Sequence, residues 1–118
     1  MKEIKAFLRS QMLDAVVDAL GARPDSPGLT LIDVEGWGHL AGEAAPRLTD
    51  RVKLEIVVPD ERVEEVVALI MEKARTGHSG DGKIFVSTVD EAVRIRTGER
   101  GRRAVVPSEH GSEHGYDE

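Results

Sequence analysis

The run from Arg51 to Val58 places Val52, Leu54, Ile56 and Val58 at every second position, with Arg51, Lys53, Glu55 and Val57 between them. A period of two is that of a strand with one buried face. Just past it, after Pro59-Asp60, the period changes. Val63, Val66, Val67, Ile70, Met71 and Ala74 recur at i, i+3, i+4, i+7, i+8 and i+11, the stripe of an amphipathic helix. A one-faced strand feeding a one-striped helix must bury both against a shared core. That demand constrains the chain more than any other feature.

The same strand-then-helix order opens the chain. Ile4-Lys5-Ala6-Phe7-Leu8-Arg9 reads as a strand, Ser10 as a helix cap, and Met12, Leu13, Val16, Val17 and Leu20 as one apolar stripe ending at Gly21. Asp25-Ser26-Pro27-Gly28 is turn chemistry, and a second strand runs from Leu29 through Val34 to Gly36-Trp37-Gly38. Residues 39–50 lack a sustained period, contain Gly42 and Pro46, and read as a loop. Beyond the second helix, a Gly-rich loop (residues 76–82) leads into a strand over Lys83–Val89, with a short last strand over Ala92–Arg96. The order β-α-β, loop, β-α-β predicts an α+β, ferredoxin-like βαβ-βαβ sandwich: an antiparallel sheet with two helices on one face. Its other face needs a cover, which a homo-oligomer packing sheet against sheet supplies.

At 118 residues the chain is one domain, long enough to fold without staples. It has no cysteine, which excludes thiolate metal sites, cysteine nucleophiles and disulfides. A formal charge of −6 and only 3% aromatic residues argue against a nucleic-acid surface. No apolar run approaches the roughly 20 residues of a membrane span and no signal peptide opens the sequence. The expectation is a cytoplasmic protein without membrane insertion. The charge is also segregated: residues 1–72 hold 8 basic and 14 acidic side chains, 73–103 hold 8 basic and 4 acidic, and 104–118 hold 4 acidic and none basic. A basic stretch in an acidic chain suggests a bound anion.

Two motifs lie in that stretch. Gly77-x4-Gly82-Lys83 matches most of a phosphate-binding P-loop but has Ile84 where a hydroxyl should hold magnesium, and it runs helix–loop–strand rather than strand–loop–helix. What survives is a glycine-bearing loop whose N–H groups can converge on an anion beside Lys83; an ordinary turn closing the helix is the other reading. Arg94 and Arg96, two apart on the expected strand, project from one face as a phosphate fork or as a solvated edge.

Thr76-Gly77-x-x-Gly80-Asp81-Gly82-Lys83-Ile84-Phe85-Val86 and Val93-x-Ile95-Arg96-Thr97-Gly98-Glu99 resemble the C-terminal signature of PII signal-transduction proteins. Val34-x-Gly36-Trp37-Gly38 resembles the start of that family's T-loop, and residues 52–60 the strand that follows it. The resemblance covers residues 1–105, with a T-loop-like segment at 38–51 and an acidic, His-containing tail at 106–118. It implies a homotrimer binding ATP, ADP or AMP between subunits. Phosphates would meet Gly80, Asp81, Gly82, Lys83, Arg94 and Arg96; the adenine side would involve Thr30, Gly36, Gly38 and Val57, with Phe7 nearby.

The departures from the family pattern are equally specific. The T-loop is short and has no tyrosine between Gly38 and Arg51 to be uridylylated. His39-Leu40 stands where typical members carry Arg-Gln, and Arg51 replaces a lysine that pairs with 2-oxoglutarate. The resemblance therefore implies a nucleotide-binding regulator in nitrogen or inorganic-carbon metabolism, acting on a transporter or enzyme. His39 and Arg51 are candidates for a small-anion effector such as bicarbonate. With no recognisable nucleophile arrangement or magnesium ligands, no enzymatic activity and no catalytic cofactor are expected; a slow nucleotide hydrolase is the rival. The tail repeat Ser108-Glu109-His110-Gly111, Ser112-Glu113-His114-Gly115 reads as a disordered terminus, with metal-responsive binding as the alternative. His78 is expected to be exposed, Trp37 to pack in the core, and Asp81 to brace its loop.

Overall fold

A computed structural model describes residues 1–23, 25–39, 42–43 and 45–106. Leu40 and the tail repeat lie outside the described residues. Four strands form one sheet in the order β2-β3-β1-β4: β1 (Lys2–Leu8), β2 (Thr30–Gly38), β3 (Arg47–Val58) and β4 (Gly82–Thr88). Every neighbouring pair is antiparallel. Two helices, α1 (Leu13–Gly21) and α2 (Val63–Ala74), contribute to a single core with the sheet, and a short α3 (Arg102–Val105) follows β4. This is the ferredoxin-like sandwich that the alternating periods require. Among the described residues, no helix is long and apolar enough to cross a membrane.

The period-two pattern fixes which face is buried. Ile4, Ala6 and Leu8 of β1 stand opposite Ile56, Leu54 and Val52 of β3, and all six are buried. Val16 and Leu20 of α1 and Val63, Val66, Ile70 and Ala74 of α2 close over them. By the pleat, Phe7, Arg51, Lys53, Glu55, Val57, Lys83 and Phe85 belong to the opposite face, where the Phe7 and Phe85 rings meet edge to face at 6.0 Å. Thr30, Gly36 and Gly38 share that face through their pairing with Glu55, Thr49 and Arg47.

Several local expectations are corrected. Residues 47–50, read as loop, belong to β3, because antiparallel pairing with β2 continues to Gly38↔Arg47 although the side chains there lose their apolar period. Residues 92–96 are not a strand: they join the sheet of no neighbour, and a lone bridge links Val93 to Arg100 across a turn closed by Arg94 N to Glu99 O at 2.8 Å and Gly98 N to Arg94 O at 2.7 Å. Ser10 makes no side-chain cap; it opens a 3-10 turn (Ser10–Met12) from which α1 continues at Leu13, and Asp60–Arg62 does the same for α2. Trp37 is 69% exposed rather than packed. It pairs with Leu48 at the outer end of the β2–β3 hairpin, and β1 already ends at Leu8↔Val52, so the hairpin overhangs the rest of the sheet.

Candidate functional site

The Gly-rich loop follows from how α2 stops. The helix ends at Ala74 with Arg75 in extended conformation, and the chain then turns through positive φ at Gly77 (88°), Gly80 (92°) and Gly82 (108°). The simple turn that closes a helix on its own glycine is therefore not what forms. A loop of this shape turns successive N–H groups inward and needs an acceptor for them. Asp81 supplies it. Its carboxylate accepts Thr76 N and Gly77 N, each at 2.9 Å, the Thr76 hydroxyl, and Arg9 Nε at 3.2 Å. The Thr76 hydroxyl above all, then the backbone N–H groups of Thr76 and Gly77 and the Arg9 guanidinium, hold this carboxyl well below the usual carboxylate range. Asp81 thus braces the loop, as the sequence suggested.

A carboxylate depressed in the folded state stabilises it above the unfolded-state pKa, and that stability is lost as pH falls through the lower folded value. Amide protection at Thr76 and Gly77 is therefore expected to hold from neutrality down to about pH 4 and to fail only in stronger acid. Hydrogen exchange read by NMR across that range checks it. Protection lost between about pH 5 and 7 would implicate a group other than Asp81, whereas Asp81→Asn should reproduce the loss at neutral pH.

Facing this loop is the overhanging hairpin. Between them lies a cleft of about 440 Å³, lined on the hairpin side by Gly36, Trp37, Gly38, His39, Thr49 and Arg51 and on the loop side by His78, Gly80, Asp81, Gly82 and Lys83. Eight residues proposed from the sequence meet there: Gly36, Gly38, Gly80, Asp81, Gly82 and Lys83, together with His39 and Arg51. His78 joins them and is exposed, as expected. A neighbouring apolar groove of about 430 Å³, lined by Phe7, Val67, Met71 and Ile84 among others, shares Asp81, Gly82 and Lys83 with the cleft.

Four proposed residues do not line this cleft. Thr30 pairs with Glu55, and Val57 with Glu3, toward the other end of the sheet. Arg94 and Arg96 sit on the 94–99 turn, not side by side on a strand. Arg94 is 7% exposed and donates Nη2 to the carbonyls of Arg103 at 3.1 Å and Val106 at 2.8 Å, with Nε 3.8 Å from Glu99. Its guanidinium bolts the C-terminal segment to the body of the same chain. Arg96 is exposed. Arg9 and Thr49 are the residues that sequence reasoning passed over; Arg9 meets Asp81 across 72 positions, a separation at which no local pattern is visible.

The profile of the family described as "Nitrogen regulatory protein P-II" matches residues 1–99. The chain belongs to the P-II family. A P-II protein of Methanothermobacter thermautotrophicus, "Nitrogen regulatory protein P-II 2", is 46% identical over 113 residues, spanning 89% of this chain and 97% of that protein. "Nitrogen regulatory protein P-II" of Rhodobacter capsulatus is 42% identical over 113 residues, spanning 89% of this chain and all of that protein. A "Nitrogen regulatory protein P-II homolog" of Oryza sativa is 50% identical over 86 residues, 65% of this chain and 41% of that protein. The matched P-II region contains every proposed site residue from Thr30 to Arg96.

Proposed function

We propose that this P-II protein is a homotrimeric sensor of adenine nucleotides, signalling through its β2–β3 hairpin to a transporter or enzyme. The observation that carries the reading is the cleft itself: a glycine loop braced by Asp81, with Lys83 beside it, faces a hairpin wall on which the half-buried Gly36 and Gly38 add no side chain between Trp37, His39, Thr49 and Arg51. Phosphates bind the loop and Lys83; the nucleoside lies against the hairpin wall. Thr30, Val57 and Arg96 come from a second copy, which also covers the open sheet face carrying Phe7 and Phe85. Arg94 contributes indirectly, by fixing the turn from which Arg96 projects. A cyclic trimer gives each copy one donor and one acceptor edge, so three equivalent clefts form.

The small-anion effector belongs to the same reading. His39 and Arg51 line the cleft together, which supports a bicarbonate-sized ligand beside the phosphates, whereas 2-oxoglutarate lacks the amide and lysine it uses in typical members. Occupancy biases the hairpin between two arrangements, and the partner reads which one is populated.

Calorimetry with ATP, ADP and AMP, each with and without bicarbonate or 2-oxoglutarate, tests this. Adenine nucleotides are expected to bind, Lys83→Ala to weaken them about ten- to a hundredfold, and 2-oxoglutarate to add little. Tight, magnesium-ATP-dependent 2-oxoglutarate binding would overturn the effector assignment. Sustained phosphate release that disappears in Lys83→Ala would overturn the non-enzymatic reading. The shared cleft has its own check: Lys83→Ala and Arg96→Ala subunits, each defective alone, should regain about one site in four when mixed and reassembled at equal ratio.

A further inference from the structure

We propose that Arg9 is a positioning residue for the phosphate loop, setting the direction of its N–H groups without touching the ligand; this rests on the nucleotide reading above. Arg9 is the first residue past β1, whose last pair is Leu8↔Gly82, so it leaves the sheet where the loop enters it. Its carbonyl accepts Met12 N at 3.0 Å, which fixes the backbone at the start of the 3-10 turn. From that anchored point the guanidinium reaches both sides of Gly80: Nε to Asp81 at 3.2 Å and Nη2 to the Ser79 carbonyl at 2.5 Å. Arg9 is largely covered and is not part of the cleft wall.

Two consequences follow from elementary chemistry. In a planar trans peptide the carbonyl and the next N–H point in opposite directions. Holding the Ser79 oxygen against Arg9 therefore turns the Gly80 N–H away from Arg9, and at Gly80 the chain has no side chain to block an approaching phosphate oxygen. Second, Asp81 is an ionised carboxylate in a site meant for anions. Arg9 offsets that charge while leaving Lys83 free for the ligand. Only the planar fork does both, because a lysine ammonium has the charge without the fixed two-point geometry.

The experiment uses the full chain with Arg9→Lys and Arg9→Gln, titrated with ATP, ADP and AMP by calorimetry, alongside the thermal midpoint and the NMR amide chemical shift of Gly80 in the unliganded protein. Arg9→Lys is expected to weaken ATP and ADP about tenfold and AMP less, to move the Gly80 amide resonance, and to leave the thermal midpoint near that of the wild type. Arg9→Gln should lose more. Wild-type affinity and a wild-type Gly80 amide shift in both variants would overturn the inference while leaving the nucleotide reading standing. Equal losses for all three nucleotides together with a lowered midpoint would overturn it in favour of a merely structural role. If the wild type binds no nucleotide, the underlying reading fails and this inference with it.

Discussion

Gly82→Ala is expected to destabilise the protein by about 3–5 kcal/mol and to abolish measurable nucleotide binding. Gly82 is the first residue of β4, at φ 108°, and a Cβ built there would lie 1.7 Å from the Phe7 carbonyl oxygen and 2.9 Å from its carbon. Neither atom belongs to a side chain that can swing aside. The substitution must flip the Gly82 backbone or part β1 from β4 at Leu8↔Gly82, and either movement displaces Lys83 and the loop N–H groups. Gly77 makes the control. It also has positive φ, yet nothing lies within 4 Å of its added Cβ, so Gly77→Ala should cost only about 1 kcal/mol of backbone strain. Urea unfolding of both variants decides the matter. A Gly82→Ala protein within about 0.5 kcal/mol of wild type would mean that the close approach to Phe7 is not a feature of the folded chain.

Leu54→Ala is expected to cost about 3 kcal/mol without altering the site. Leu54 is wholly buried on β3, paired with Ala6 on one side and Leu31 on the other, so its loss opens a hole beneath both helices. The neighbours are strands locked in register, which limits how far they can collapse into the space. Glu72→Ala, on the exposed side of α2, should stay within about 0.5 kcal/mol. Nucleotide affinity measured below the unfolding transition should be unchanged in Leu54→Ala, because the cleft draws its lining from the hairpin and the loop rather than from the core. A large affinity loss would show that core packing and cleft geometry are coupled more tightly than this arrangement implies.

The layered fold was legible because burial imposes a period. Val52 to Val58 and Val63 to Ala74 declare themselves, and the observed core contains the apolar positions of their periods except Val67, which is partly buried, and Met71, which is exposed. Legibility failed where structure is set by something other than burial. Residues 47–50 continue β3 through backbone pairing, with the Thr49 hydroxyl donating to the Gly36 carbonyl, and neither leaves an apolar period in the sequence. Arg94 and Arg96 looked like a strand pair because spacing of two is all that a sequence displays; the bond from Arg94 to Val106, which shapes that turn, spans residues with no shared pattern. In the cleft, the glycines and Lys83 were recognisable as a cluster because they are neighbours in sequence. Arg9 was not, since its importance comes from β1 and β4 lying side by side.

The hairpin that overhangs the sheet carries an evolutionary corollary. Its outer pairs, from Trp37↔Leu48 to Gly38↔Arg47, sit beyond β1 and outside the buried core, so few substitutions there can erode folding. Selection can therefore rewrite the tip almost without regard to stability. A lineage could retune what the tip contacts while inheriting the body unchanged.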